Sequence, residues 1–188
     1  MLELRKAILG DIPAITAMVN AYAAQGVMLP RTEFELAESI RDFTVAYRDG
    51  QLVGCGALRI YTPLSAEVRS LAVSPREKGS GIGRQVVEAL VAEAEQFGLE
   101  SLFAFTYVPG FFAKLGFSEV DRGELPLKAW KDCLRCPKFK ACDEIAVLKP
   151  LRPTTLSQPY TPISRDIILP ILPRTAHIEV PVVTRKQG

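Results

Sequence analysis

The segment Ser70-Leu-Ala-Val-Ser-Pro-Arg-Glu-Lys-Gly-Ser-Gly-Ile-Gly-Arg-Gln-Val-Val87 constrains this chain more than any other. An apolar, strand-like run stops at Pro75. A glycine-dense turn follows, and a long amphipathic pattern then reads as a helix. Gly79, Gly81 and Gly83 strip side chains from the point where that helix begins. A helix start carries unpaired N–H groups and partial positive charge, so a bare one seats a phosphate or pyrophosphate. Arg76, Lys78 and Arg84 add full positive charges around it. The run Gly79-Ser80-Gly81-Ile82-Gly83 is therefore read as a cradle for a phosphorylated cofactor. The competing reading is a glycine-rich turn with no ligand.

The spacing matches neither common nucleotide pattern. A P-loop needs Gly-x-x-x-x-Gly-Lys-Ser/Thr, which is missing here. The dinucleotide fingerprint Gly-x-Gly-x-x-Gly lacks its third glycine. What stands directly after the strand is Arg76-x-x-Gly79-x-Gly81. This resembles the pyrophosphate loop of the GCN5-related N-acetyltransferase family. The resemblance implies acetyl-CoA as co-substrate.

The chain has 188 residues, which suits one domain with an appendage. Its net charge of +2 favours neither nucleic acid nor a membrane surface as partner. No apolar run approaches the roughly 20 residues that span a bilayer. The start, Met1-Leu-Glu-Leu-Arg-Lys, reads as a strand and lacks a signal peptide's apolar core, so a cytoplasmic location is expected. His177 is the only histidine, which argues against a Ser-His-Asp triad or a multi-histidine metal centre. Cys133, Cys136 and Cys142 lack the second pair usual for zinc. They are read as free thiols in a substrate-side lid, with no metal expected.

Periodicity and punctuation yield the element order. Leu2–Ala7 reads as a strand. Asp11 is read as the N-cap of a helix with Ile12, Ile15, Val19 and Tyr22 on one face. Thr32-x-x-Glu35 is a capping box opening a second helix. Strands over 43–47 and 52–60 join at the turn pair Asp49-Gly50. A strand over 67–73 leads into the glycine loop. The next helix presents Val87, Leu90, Val91, Ala94 and Phe97, and Gly98 ends it. A strand over 101–107, a short helix over 109–115 and strands over 117–120 and 144–148 follow. The order is β-α-α-β-β-β-α-β-α-β-β, an α/β (α+β) class. It resembles the acetyltransferase family over residues 1–150. The resemblance implies a mixed central sheet that splays near its middle, with acetyl-CoA entering from one side and the amine from the other. Six prolines after Leu151 interrupt short β-branched runs, so 151–188 is read as an extended tail.

Acetyl transfer to an amine needs a held and polarised thioester, a deprotonated ammonium and a recognised acceptor. In the strand, alternation puts Glu67, Arg69, Leu71 and Val73 on one face, so the Glu67 carboxylate can face the cleft as general base. The competing reading is a solvated glutamate paired with Arg69. Catalytic glutamates of the family occupy this strand position. The family holds the thioester with backbone N–H groups of the same strand, which implies Leu71, Ala72 and Val73. Many members also carry an acidic tyrosine in a segment resembling Phe111-Phe112-Ala-Lys-Leu-Gly-Phe117. Here Phe112 occupies that place and has no proton to give. Thr106 and Tyr107 are the substitute candidates.

The acceptor is narrowed by further resemblance. Gln25-Gly-Val-Met-Leu-Pro-Arg31-Thr, Ser101-Leu-Phe-Ala-Phe-Thr106 and Glu124-Leu-Pro-Leu-Lys128-Ala-Trp are similar to segments of the N-acetylglutamate synthase branch. A dicarboxylate needs cationic clamps, which Arg31 with Lys128 or Arg69 could supply. The expected reaction acetylates the α-amine of an amino acid, with L-glutamate first and arginine biosynthesis as the setting. Alternatives are glutamine, another amino acid or a protein N-terminus, or a weakly catalytic acetyl-CoA sensor. The expected partners are acetyl-CoA and a small amino acid, with a homodimer allowed.

Overall fold

The computed structural model describes residues 1–125, 133–138 and 141–152, all within the unit Met1–Thr154. The strands are β1 (Leu2–Lys6), β2 (Phe43–Arg48), β3 (Gln51–Ile60), β4 (Ser65–Val73), β5 (Ser101–Thr106), β6 (Ser118–Glu119) and β7 (Ile145–Pro150). The helices are α1 (Ile12–Ala23), α2 (Glu33–Ser39), α3 (Ile82–Gln96) and α4 (Pro109–Ala113). Among the described residues the strands form one mixed sheet in the order β1-β2-β3-β4-β5-β7-β6. Lys128 and the tail beyond Arg152 lie outside the described residues.

Local signals set several joints. Asp49 and Gly50 both take left-handed conformations (φ 50° and 76°), which the tight β2–β3 hairpin demands. Thr32 Oγ1 accepts from the Glu35 N–H at 3.2 Å, and a Glu35 carboxylate oxygen accepts from the Thr32 N–H at 2.9 Å. These reciprocal bonds start α2. At the other end of α3, Gly98 (φ 75°) turns the chain back and the Leu99 N–H donates to the Ala94 carbonyl at 3.0 Å. That reversal makes Leu99 the buried residue and leaves Phe97, expected on the apolar face, 60% exposed.

The Asp11 side chain does not cap α1. Its carboxylate turns back to accept from the Ile8 N–H at 2.8 Å and from Arg5 at 2.7 and 2.9 Å, with the Tyr47 hydroxyl donating at 2.8 Å. It therefore closes the turn Leu9–Asp11 and ties β1, α1 and β2 together. The Arg5 guanidinium holds the Asp11 carboxyl down at about 2.

Apolar residues fill both faces of the sheet. Val86, Val87, Leu90 and Ala94 of α3 pack with Leu58, Val68 and Leu102 on one face. Ile15, Val19 and Leu36 of α1 and α2 pack with Val45, Cys55 and Ala72 on the other. Gly54 and Gly56 let α3 come close. A Cβ on Gly54 would stand 2.6 Å from Ile82 Cγ2, and one on Gly56 2.9 Å from Val86 Cγ1.

Two features of β4 prepare the site. Its parallel ladder with β5 runs only from Ser65↔Ser101 to Glu67↔Phe103. Beyond it β4 follows β3 to Val73, while β5 follows β7 to Thr106, so the sheet splays. Then Ser70 takes a left-handed conformation (φ 51°), and the β3–β4 register slips between Cys55 and Ala57. This is a β-bulge, and an inserted residue reverses the alternation beyond it. Leu71 and Val73 thus join the α3 face with Val68, while Ala72 joins the α1 face. The expectation that Glu67, Arg69, Leu71 and Val73 share a face is corrected: Glu67 and Arg69 stay together, and Leu71 and Val73 turn to the opposite side.

Candidate active site

One cavity, of about 430 Å³, opens at the start of α3 against Val73, Lys78, Gly81, Gly83, Phe111 and Lys114. Gly79 and Gly81 both have left-handed backbone (φ 84° and 85°), and a Cβ on either would meet nothing within 4 Å. Ile82 is buried in the core, so the helix start offers backbone rather than side chain. Arg84 lines the same cavity, and its guanidinium bonds to Glu88 at 2.7 Å. Glu77 is paired with Arg48 at 2.6 Å. Lys78 stands 5.6 Å from the Tyr22 ring centroid. Bare N–H groups at a helix N-terminus among Lys78, Arg84 and Lys114 fit a pyrophosphate. The other loop residues sit further out. Arg76 is exposed, and Ser80 donates its hydroxyl to the Glu77 carbonyl at 2.7 Å. Leu71 and Ala72 point their side chains into the two cores.

A second cavity, of about 290 Å³, lies at the splay. Glu67, Arg69 and Ser70 of β4 form one wall, and Phe105 and Tyr107 at the end of β5 form another. The chain between α1 and α2 crosses it with Met28, Pro30 and Arg31. Arg31 is set by its backbone: the Asn20 side-chain amide bonds both its N–H and its carbonyl at 2.9 Å. Glu67 is half-buried and accepts a hydrogen bond from the Tyr61 hydroxyl at 3.0 Å. Arg69 reaches the same phenol at 3.5 Å. The structure thus gathers Arg31, Glu67 and Arg69 in one cavity. Strand β4 connects the two cavities, with Glu67 lining one and Val73 lining the other.

The candidate acids fare differently. Thr106 is buried, and its hydroxyl oxygen accepts the Val108 N–H at 3.0 Å. Tyr107 lines the second cavity, but its hydroxyl donates to Asp143 at 2.9 Å and accepts from Lys138 at 3.1 Å. Burial raises the Tyr107 pKa above that of an ordinary phenol. Phe112 is buried in a cluster of rings, 5.2 Å from both Phe111 and Phe117. Cys133, Cys136 and Cys142 line the second cavity. Burial, with the Glu67 charge nearby, pushes the Cys133 thiol up to about 11. Among the described residues no three His, Cys, Asp or Glu side chains form a metal-holding group, and no helix is long and apolar enough to cross a membrane.

Five residues at or behind the two cavities were not anticipated. Tyr61 and Asn20 bond to Glu67 and Arg31, and no motif marks them. Arg122 and Glu144 line the second cavity, Glu144 from the point where the last strand was expected to begin. Lys114, in the Phe112-Ala-Lys-Leu-Gly-Phe segment, was legible as a cation near the loop only once α4 was placed.

Residues 17–117 match the Acetyltransferase (GNAT) family. The chain is 44% identical over 147 residues to an uncharacterized N-acetyltransferase of Chlorobaculum tepidum, covering 78% of this chain and 95% of that protein. It is 36% identical over 120 residues to the amino-acid acetyltransferase of Mycobacterium tuberculosis, covering 62% of this chain and 68% of the relative. Among solved structures, it is similar to N-acetylglutamate synthase from Neisseria gonorrhoeae complexed with coenzyme A and N-acetyl-glutamate. The TM-score is 0.74 at 29% identity, with 81% of this chain matched. It spans only 36% of that longer chain. A bare-backbone anion seat, a splayed sheet and these matches agree, and the chain belongs to the acetyltransferase (GNAT) family.

Proposed function

We propose that this protein transfers the acetyl group of acetyl-CoA to the α-amine of an amino acid, with L-glutamate as the acceptor. The observation that carries the reading is the path of β4, which leaves an anion cradle at Val73 and reaches a cavity holding Glu67, Arg31 and Arg69. Relatives named amino-acid acetyltransferase support the amino-acid class. The N-acetyl-glutamate bound by the Neisseria enzyme supports the choice of glutamate.

Acetyl-CoA supplies an activated thioester, and this chain's residues do the rest. The loop Gly79–Gly83 and Lys78 bind the pyrophosphate. Backbone N–H groups between Leu71 and Val73 polarise the acetyl oxygen. Glu67 takes a proton from the acceptor's ammonium, and the Tyr61 hydrogen bond orients its carboxylate for this. Arg31 and Arg69, with Lys128 as a further cation, grip the acceptor's carboxylates. Thr106 uses a lone pair for the Val108 N–H and keeps its own O–H to orient the departing thiolate. The Tyr107 proton is engaged by Asp143, which makes Tyr107 a wall residue rather than the acid. A cytoplasmic location, a role in arginine biosynthesis and a homodimeric state belong to the same proposal.

Turnover with acetyl-CoA over a panel of amino acids tests it. Glutamate is expected to give the highest kcat/KM. A preference for an uncharged side chain removes glutamate, and no acetylation of any amino acid removes the reading.

A further inference from the structure

The acceptor-side cavity holds a second carboxylate besides Glu67. Glu144 stands immediately before β7, in the wall that faces β4 across the splay. Its position is pinned from several directions. Arg122 donates to the carbonyl of Glu144 and, at 3.2 Å, to that of Cys142. The neighbouring Asp143 accepts from Tyr107 at 2.9 Å and from Lys138 at 3.3 Å, and Lys138 lies 4.9 Å from the Tyr107 ring centroid. The segment 142–144 is thereby fastened to Tyr107, just past the end of β5.

Among the described residues, little engages this carboxylate directly. The Arg122 guanidinium bonds Glu144 through its backbone carbonyl. The one side-chain partner in the described set is the weak Cys142 thiol, at 3.9 Å. Burial pushes the Glu144 carboxyl above the ordinary range, against the pull of Arg122 and Lys138. A half-buried carboxylate with such poor partners is costly unless something positive comes to it. The cavity also presents Arg31, Arg69 and Arg122, so a ligand that suits both signs is a zwitterion with excess negative charge. An amino acid with an acidic side chain has that charge pattern.

We infer that Glu144 is a second acceptor-binding carboxylate, which holds the substrate's ammonium from the β7 wall of the splay while Glu67 removes its proton from the β4 wall. The inference rests on the amino-acid reading above. It adds a specificity element: an amine acceptor is kept and its deaminated counterpart is refused. Glu144 needs no proton transfer for this role.

The test compares wild type with Glu144→Gln, a near-isosteric change that keeps hydrogen bonding and removes charge. Steady-state kinetics with acetyl-CoA and the best amino acid of the panel are measured beside inhibition by the deaminated analogue, glutarate for glutamate. The acceptor KM is expected to rise about 10- to 100-fold, the scale of a lost charge-assisted contact, with the acetyl-CoA KM unchanged. Inhibition by glutarate is expected to hold or strengthen, since it carries no ammonium. Equal weakening of glutamate and glutarate would show that Glu144 only shapes the wall, and an unchanged acceptor KM would likewise overturn the assignment. If wild type acetylates no amino acid, the functional reading fails, and the Glu144 assignment fails with it. Activity with an unaltered Glu144→Gln profile overturns the assignment alone.

Discussion

Glu67 and Phe103 are the last partners in the parallel ladder between β4 and β5. The carboxylate therefore sits where the sheet divides and lines the second cavity, with Tyr61 bonded to it. Replacing Glu67 with Gln removes the proposed base and keeps the shape. We expect kcat to fall by roughly 10²-fold or more, the usual scale for a lost general base. CoA affinity should be unchanged, because the cradle lies at the other end of β4. A near-normal rate across the pH range would take Glu67 out of the mechanism.

The cradle is tested at Gly81. Its left-handed backbone favours glycine, and a valine there is expected to crowd a pyrophosphate in the proposed seat. Backbone strain should cost roughly 1–3 kcal/mol of stability. Calorimetric titration of folded Gly81→Val with CoA is expected to show no binding. Undiminished binding would contradict the loop assignment.

Arg31 is held by Asn20 at both backbone polar groups, so its side chain is aimed from a fixed base. Arg31→Ala is expected to raise the glutamate KM by about 30- to 150-fold, corresponding to roughly 2–3 kcal/mol for a charged contact, with the acetyl-CoA KM little affected. Asn20→Ala should move the same KM in the same direction by less. Wild-type glutamate kinetics in Arg31→Ala would remove the clamp.

Asp11 makes stability depend on acid. Its pKa lies at about 2 in the folded chain against 3.8 ordinarily, so the native state favours the charged form. The stabilisation is fully present above about pH 4 and is lost as the pH falls through about 2; it amounts to about 2 kcal/mol. Urea unfolding followed from pH 5 to pH 2 should show this loss in wild type. In Asp11→Asn the stability should be lower at pH 5 and the slope over that window smaller. Parallel curves for the two proteins would exclude Asp11 as its source.

Much of the fold was legible from residues that interact within a few positions. Asp49-Gly50 specifies left-handed backbone, Thr32 and Glu35 bond each other, and Gly98 ends α3, each by local chemistry. The glycine turn before α3 was legible for the same reason, since bare backbone before an amphipathic run needs no distant partner. Single-residue departures from a pattern were not legible. The bulge at Ser70 follows from how β4 fits β3 under α3, and it moved Leu71 and Val73 to the other face. Asp11 looked like a cap and became an ion-pair hub because β1 and β2 bring Arg5 and Tyr47 to it.

The sequence by itself thus determined the order of elements, the bare glycine turn at the start of α3 and the family resemblance. These rest on spacing along the chain, where hydrogen bonds and backbone preferences act over a few residues. Only the tertiary structure decided which charged side chains share a cavity. Arg31, Glu67, Arg122 and Glu144 are separated by long stretches of chain and come together because β4 and β5 part after Glu67 and Phe103. No periodicity records that meeting, since it depends on where a parallel ladder stops and on which segment then closes the gap.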